Sequence, residues 1–290
     1  MTITMKSINR TSVVLSLFAL IAISLLLVGC GPKKQTADET AFTSVPVNVR
    51  VEVNHESMRV MWDLKGSDNI AGYNIYISET PLAAKYPDRT LDKKIIAHNT
   101  SPYPGDTDPD DGVIWYEAGG LADGVRYYVT VRAVYSNWTL SKSSNEVEAV
   151  CGPRGTLDLG IRYQGKPDGF SFAGNDYVDA DNIQNDLYFF SKNDVDIIGS
   201  PSKLEYILRK NTLTVLPNKG DLTKVAAEVT GKKITAKEDQ VEVKVGDWVL
   251  LQTVEGGHVL LRVDDLTGAG KNRRVKLTYA YSPLKGDLFF

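Results

Sequence analysis

Three aspartates and one glutamate stand at spacings that could hold a calcium ion. In the stretch "DTDPDDGVIWYE", Asp106, Asp108, Asp110 and Glu117 take the places that an EF-hand loop fills with oxygen ligands. Such a loop needs glycine at its sixth position, where this sequence has Asp111, and the residues that follow alternate like a strand. These departures favour an acidic turn in solvent, and a calcium loop is the alternative.

Residues for acid–base or nucleophilic catalysis are sparse in the sequence. His258 follows two glycines in an expected hairpin turn, where a solvated side chain is more common than a general base. The sequence has no His/Cys metal spacing, nucleophile elbow or phosphate-cradling loop. Asp179 and Asp181 could act on a glycosidic bond, but neighbouring acids are common in polar loops. We expect no catalytic residue and no cofactor; the alternative is an envelope polysaccharide-processing enzyme with its site in the C-terminal domain.

Aromatic side chains offer binding chemistry instead, because their faces stack on sugars and on peptide edges. Trp115 lies on an expected strand, and Trp138 lies in an expected hairpin loop, "SNWTLS". Burial in a core would explain Trp115 equally well. Trp138 and Trp115 are therefore the candidate ligand-binding residues.

The N-terminus predicts the cellular compartment. Lys6 and Arg10 precede an uncharged apolar run, residues 11–29, that reads as a secretory signal. The run ends in "LVGC", which resembles the lipobox of bacterial lipoproteins. The resemblance implies a signal peptide over residues 1–29, cleavage before Cys30 and lipidation of Cys30. Gly31, rather than aspartate, implies the outer membrane, on either its periplasmic or its surface face; an uncleaved transmembrane anchor is the alternative.

The remaining composition limits the partners. Residues 30–42 are polar and suit a flexible tether, and several acyl chains would hold the protein stably on a membrane. Lipidation of Cys30 would leave Cys151 without a disulfide partner. The formal net charge is −3 before removal of the basic signal, which argues against nucleic acid. We expect a membrane contact through the lipid and a protein or polysaccharide partner.

Alternation of apolar and polar residues predicts an all-β protein with two domains, residues 43–152 and 153–290. Segments such as "VNVRVEV", "YNIYIS" and "YYVTVRAV" have the period of half-buried strands, and no long stretch keeps helical spacing. Trp62 in "MRVMWDL" is the expected centre of the first core.

The first domain resembles the fibronectin type III family. Leu121, Gly124 and Tyr127 have the L-x-x-G-x-x-Y spacing of its tyrosine corner, followed by alternating residues of a strand. The resemblance implies a β-sandwich that acts as a binding module. Residues 79–112 exceed the family's pattern and form an insertion, in which "KKIIAH" is the one expected strand; long loops of this kind often carry function.

The second domain resembles an uncharacterised β-rich module of secreted and surface proteins. The resemblance rests on "GFSFAG" from Gly169, "DLYF" from Asp186, and "GH" at Gly257. It implies a second β-sandwich or barrel and brings no activity with it. The sequence therefore predicts a lipid-anchored binding or scaffolding lipoprotein.

Overall fold

Strands dominate the protein, which is seen here in a computed structural model. The structure describes residues 43–290 except residues 67, 106–112, 204–208, 218 and 287. The all-β prediction is confirmed. The predicted signal peptide and tether lie outside the described residues. Among the residues that are described, no helix combines the length and the apolar character needed to cross a bilayer.

Two three-stranded sheets form the first sandwich. One sheet has the order β1-β2-β4 and the other has the order β3-β5-β6, and all the pairs are antiparallel. The strands are β1 (Val45–Asn54), β2 (Ser57–Lys65), β3 (Ile70–Ser78), β4 (Ile114–Gly119), β5 (Arg126–Tyr135) and β6 (Val147–Val150). Their alternating apolar residues face each other and form the core.

Two predicted features of this sandwich are observed. Trp62 is fully buried on β2. Tyr127 makes the predicted tyrosine corner, since the Ala122 amide donates a 2.9 Å hydrogen bond to its hydroxyl oxygen. Cys151 is buried just after β6, and burial raises the pKa of its thiol to about 12, so this cysteine is an inert core residue.

The insertion after β3 folds back along that strand. It contains one short helix, α1 (Leu82–Lys85). The predicted strand over residues 93–98 is wrong, because the Asp92 side chain accepts a hydrogen bond from the Lys94 amide and turns the chain. The insertion instead makes isolated hydrogen bonds to β3, such as His98 N to Ile75 O at 2.7 Å and Tyr103 N to Tyr73 O at 2.8 Å.

The second half is built on a five-stranded antiparallel sheet. Its order is β12 (Thr212–Leu216), β14 (Trp248–Gln252), β15 (His258–Thr267), β16 (Arg274–Ser282) and β7 (Arg154–Gly160). A three-stranded sheet and a hairpin accompany it: β10 (Tyr188–Lys192), β11 (Val195–Gly199) and β13 (Gln240–Glu242), with β8 (Gly169–Ser171) and β9 (Asp176–Val178).

Both faces of the five-stranded sheet are covered. Val249 and Leu251 belong to the core cluster on one face, whereas Trp248 and Leu250 belong to the cluster on the other. The second cluster includes helix α2 (Leu222–Lys232), which the sequence pattern did not predict. A strand buried on both faces has no polar alternation, which explains the continuous apolar run "WVLL".

The polypeptide from 43 to 290 forms one compact unit. The predicted boundary at residue 152 falls between β6, which ends at Val150, and β7, which begins at Arg154. Independent folding of the two halves stays a prediction.

Candidate functional site

The insertion and the first sandwich enclose a cavity of about 290 Å³. We call it the insertion cavity. One wall comes from the insertion, and the other comes from β5 and the segment that leads into β6. Its lining consists of Leu82, Ala83, Tyr86, Arg89, Leu91, Thr130, Ser143, Ser144, Asn145 and Glu146.

Hydrogen bonds hold these two walls together. Oε2 of Glu146 accepts the amide N–H of Leu82 at 2.7 Å and that of Ala83 at 2.9 Å. The Ser143 amide donates to the carbonyl oxygen of Arg89 at 2.9 Å. The cavity is therefore a fixed part of the domain, rather than a gap under a loose loop.

The apolar part of the lining comes from the insertion. Leu82 and Leu91 are buried and form a small core cluster with Tyr76 of β3, against which the half-buried Tyr86 packs. This arrangement gives the cavity an aliphatic surface and one aromatic ring. Such surfaces suit the apolar face of a small ligand.

Most hydroxyl and amide groups of the opposite wall are already hydrogen bonded. Ser144 Oγ lies 3.0 Å from Thr130 Oγ1 and accepts the Val131 amide at 3.0 Å. The Asn145 side chain bonds both backbone groups of Val49, at 2.9 and 3.1 Å. These groups shape the wall and leave little capacity for a ligand.

Ser143 is the exception on that wall. Its side chain is only 4% exposed, and its hydroxyl has no hydrogen-bond partner among the residues that the structure describes. An unsatisfied buried polar group costs about 1–3 kcal/mol. A ligand hydroxyl or amide within reach would remove that cost.

The charged groups of the cavity are one guanidinium and one carboxylate. Arg89 makes no ion pair with any residue that the structure describes, and its backbone is left-handed, with φ of 64°. Glu146 is engaged by backbone amides as described above. The chemistry of the lining favours recognition of a small polar molecule, since it combines a hydroxyl, a guanidinium, a carboxylate and a tyrosine ring.

Trp138 is placed for binding but lies apart from the cavity lining. Its side chain is 71% exposed, and its backbone is left-handed with φ of 65°. Its amide donates to Tyr135 O at 2.8 Å, which closes the turn. A left-handed bulky residue is a strained outlier. The turn thus holds the indole ring in solvent.

Trp115 and Glu117 are brought together by Arg59. The Arg59 guanidinium lies 4.8 Å from the Trp115 ring centroid, and its Nε lies 3.4 Å from the Glu117 carboxylate. One face of Trp115 is therefore covered, and Glu117 already has a cationic partner. Asp106, Asp108 and Asp110 lie outside the described residues, as does Cys30, so the calcium loop and the lipidation site stay predictions.

The residues of the second half that the sequence offered as catalytic candidates do not lie together in one site. Asp179 is exposed and pairs with Lys166, and it is the one carboxylate lining a nearby cavity of about 540 Å³. Asp181 is exposed and does not line that cavity. His258 begins β15 and is half-buried rather than solvated, and burial lowers its pKa.

Asp186 is one of two fully buried acids of this half, with Asp168, and its role is structural. It is fully buried and accepts hydrogen bonds from the Phe172 amide at 2.8 Å, Asn211 at 3.0 Å and Arg209 at 2.7 Å. Burial raises its pKa, and the Arg209 guanidinium opposes that rise. This network fixes the "GFSFAG" and "DLYF" segments to each other.

The sequence did not identify Tyr86, Arg89, Ser143 or Glu146 as functional residues. It did single out the insertion as the place in the first domain where function was expected. The chemistry of Ser143 depends on contacts between the insertion and a segment more than fifty residues later, and no local pattern encodes them.

Comparison with known proteins assigns the first domain. Residues 44–150 match the family model of the fibronectin type III domain. The chain therefore contains a fibronectin type III domain, as its sequence predicted. Domains of this family are typically non-catalytic binding modules. No curated protein matches the chain.

Similarity to solved structures is low. A structure described as "Myokine structure" is 22% identical, covers 39% of this chain and 100% of its own, and has a TM-score of 0.26. The Yersinia enterocolitica family 28 exopolygalacturonase is 20% identical over 37% of this chain and 20% of its own, with a TM-score of 0.23. The twitchin kinase region from C. elegans is 12% identical over 80% of this chain and 38% of its own, with a TM-score of 0.26.

Proposed function

We propose that this protein is a lipid-anchored lipoprotein of the outer membrane that binds polysaccharide without catalysis, with one sugar unit in the insertion cavity. The lipobox-like "LVGC" supports the anchor. The fibronectin type III domain supports a binding role. The polar tether between Cys30 and the first strand would let the domain reach a ligand near the membrane.

The single observation that carries the binding proposal is the unpartnered hydroxyl of Ser143. A buried polar group without a partner is rare in proteins, and each instance needs a physical reason. A ligand that supplies the missing hydrogen bond is such a reason here, because Ser143 is one of the residues that line the insertion cavity.

The size and chemistry of the cavity favour a single sugar ring. Its volume of about 290 Å³ lies just below the range of about 300–1,000 Å³ that is usual for small-molecule sites, which favours a ligand of one ring. The Tyr86 ring and the leucine surface suit the apolar face of a pyranose. Ser143, Arg89 and Glu146 offer donors and acceptors for its hydroxyls.

A glycan array followed by calorimetry on the whole protein tests this proposal. Ser143→Ala should weaken binding of the best array glycan at least tenfold, by loss of one hydrogen bond in a buried site. The same variant should be as stable as the wild type or more stable, because it removes an unsatisfied hydroxyl. Ser136→Ala, on the exposed turn beside Trp138, is the matched control and should change neither property. Binding of no glycan, or equal binding by Ser143→Ala, would reject the proposal.

A second candidate function is scaffolding of a protein partner through Trp138. The exposed indole, held out by a strained turn, favours it, because tryptophan is enriched where interfaces concentrate their binding energy. Trp138→Ala should then abolish capture of that partner by the acylated protein from its native envelope. It should leave glycan binding in the insertion cavity unchanged.

A further inference from the structure

A groove of about 870 Å³ runs between the first sandwich and the second half, away from the insertion cavity. Residues 51–54 of β1 and residues 148–150 of β6 form one side. Helix α2 and residues 288–290 form the other side, and Arg154 of β7 also lines the groove.

Arg154 is the anomaly in this groove. Its Nε is buried without a hydrogen-bond partner, and its guanidinium makes no ion pair or hydrogen bond with any described residue. Buried charges in proteins are normally paired, because desolvation of a lone charge is costly. A guanidinium left in this state offers a planar site for an anionic oxygen group.

The neighbouring charges restrict what that anion can be. Glu148 is already paired with Arg126. Glu52 also lines the groove and attracts the Arg154 guanidinium electrostatically, although it makes no ion pair within 4.0 Å with any described residue. The Cys151 thiol, whose pKa is raised to about 12, adds no charge. Glu52 repels a polyanion more strongly than a single carboxylate, so a single carboxylate on Arg154 fits the groove better.

The strand edges beside Arg154 favour an extended chain as the carrier of this carboxylate. Both β1 and β6 lie at the edges of their sheets. Hydrogen bonds join β1 to the residues on either side of β6, at Val49 with Asn145 and at Asn54 with Gly152, the latter at 3.1 Å. Between these points, the described residues of β1 and β6 make no backbone hydrogen bond to each other. Edge strands with free backbone groups accept an added strand.

The opposite side of the groove is apolar. Leu222 and Ala226 of α2 line it, together with Leu288 and Phe290, and these residues also pack on the Trp248 cluster. Phe289 lies 4.8 Å from the Arg126 guanidinium. Apolar side chains of a bound segment would be sheltered here, while the carboxylate meets Arg154.

We infer that this groove is a docking site for an extended peptide segment of a partner protein, which places one Asp or Glu on Arg154 and apolar neighbours against α2. This inference is independent of sugar binding in the insertion cavity. Each can fail without the other.

Selection of a random heptapeptide library on the immobilised whole protein tests the inference. Enriched peptides should carry one acidic residue beside apolar residues. A synthetic copy with the acid changed to Gln should bind the wild type at least tenfold more weakly. Arg154→Gln should bind the acidic and Gln peptides equally, whereas Arg154→Lys should retain part of the preference. Arg50→Gln, on the exposed part of β1, is the matched control and should behave like the wild type.

The other outcomes would overturn the inference. These are a selection without acidic enrichment, or acidic peptides that bind Arg154→Gln as tightly as the wild type. Sodium laurate is a separate probe, and Arg154-dependent binding of laurate without peptide binding would make the groove an amphiphile site instead. If Arg154→Gln fails to fold by circular dichroism, the acidic and Gln peptides on the wild type still decide the question.

Discussion

The ring of Trp62 meets the ring of Tyr73 edge-on across the first sandwich, with their centroids 5.1 Å apart. The two residues lie on strands of opposite sheets, so this contact joins the sheets at the centre of the core. The Trp62 Nε1 has no hydrogen-bond partner in the described part of the chain, and the ring therefore contributes through packing.

Trp62→Ala should destabilise the protein strongly. Truncation of a buried tryptophan costs about 3–5 kcal/mol, because it leaves a cavity as well as losing buried area. Urea unfolding of the whole protein measures this cost. Trp138→Ala is the matched control, since that ring is 71% exposed, and it should change the free energy of unfolding by less than about 0.5 kcal/mol. Equal effects of the two variants would contradict the proposed core.

Asp186→Asn should destabilise the second half. The substitution removes the buried one of the two carboxylates that pair with Arg209 and leaves the exposed Glu255, so the cost should exceed about 1 kcal/mol but stay below the roughly 3–5 kcal/mol of an uncompensated buried charge. Asp179→Asn breaks the exposed pair with Lys166 and should cost at most about 1 kcal/mol. Urea unfolding compares the variants, and similar small losses would show that the Asp186 network is not structurally important.

Two half-buried histidines should make the protein less stable in mild acid. Burial lowers the pKa of both His98 and His258 below their ordinary value of 6.5. The unfolded chain therefore takes up more protons than the fold as pH falls through that value. The contribution of the neutral histidines to the free energy of unfolding is complete above about pH 6.5. It is lost as the pH falls through their lower pKa values in the folded protein.

The double substitution His98→Gln and His258→Gln should weaken this dependence. Urea unfolding at about pH 7 and pH 5.5 gives the change in the free energy of unfolding between the two pH values for each protein. Because each protein is compared with itself, the packing lost by the substitutions cancels. If the free energy of unfolding of the double variant changes between the two pH values as much as that of the wild type, other residues cause the pH dependence.

Calcium should have no effect on stability if residues 106–112 form an acidic turn. Asp106, Asp108 and Asp110 changed together to Asn should then leave thermal unfolding unaltered, in chelator or in millimolar calcium. A calcium site would instead stabilise the wild type by about 2.7 kcal/mol at one hundred times the dissociation constant. A calcium-dependent rise in melting temperature, absent from the triple variant, would establish the loop as a metal site.

Cys30→Ala should block lipidation. We expect this variant to accumulate as an unprocessed precursor without incorporated fatty acid, because the lipobox cysteine is both the acylated residue and the first residue after cleavage. Metabolic labelling with a fatty acid and gel mobility give the result. Cys151→Ala, which removes the buried thiol, should be acylated normally. Fatty acid on the Cys30 variant would disprove the assignment.

Local patterns explain which features were predictable from the sequence. The L-x-x-G-x-x-Y spacing encodes a corner within seven residues, and alternation places Trp62 in the core. The strand predicted at "KKIIAH" failed because a single Asp92 turn redirects the chain, leaving Ile96 88% exposed. Helix α2 was missed because its apolar stripe is short, although Asp221 caps it by accepting the Lys224 amide.

The insertion cavity and the groove at Arg154 could not be predicted from such local patterns. The Ser143 hydroxyl and the Arg154 Nε have no hydrogen-bond partner among the described residues. The insertion folds over Ser143, and β1, β6 and α2 meet around Arg154. Both properties depend on residues distant in sequence. Neither a serine in "SKSSNE" nor an arginine in "CGPRG" carries a local signal of this kind.

The insertion along β3 also bears on the solubility of the protein. β3 is the outer strand of its sheet, and its backbone groups would otherwise be open to a strand from another molecule. Residues 98–103 occupy that position through the Ile75–His98 and Tyr73–Tyr103 hydrogen bonds. The insertion therefore has two roles: its residues 82–91 wall the insertion cavity, and its residues 98–103 cover the edge of β3. Deleting the insertion would open the cavity and also expose an edge that could pair with a strand of another molecule.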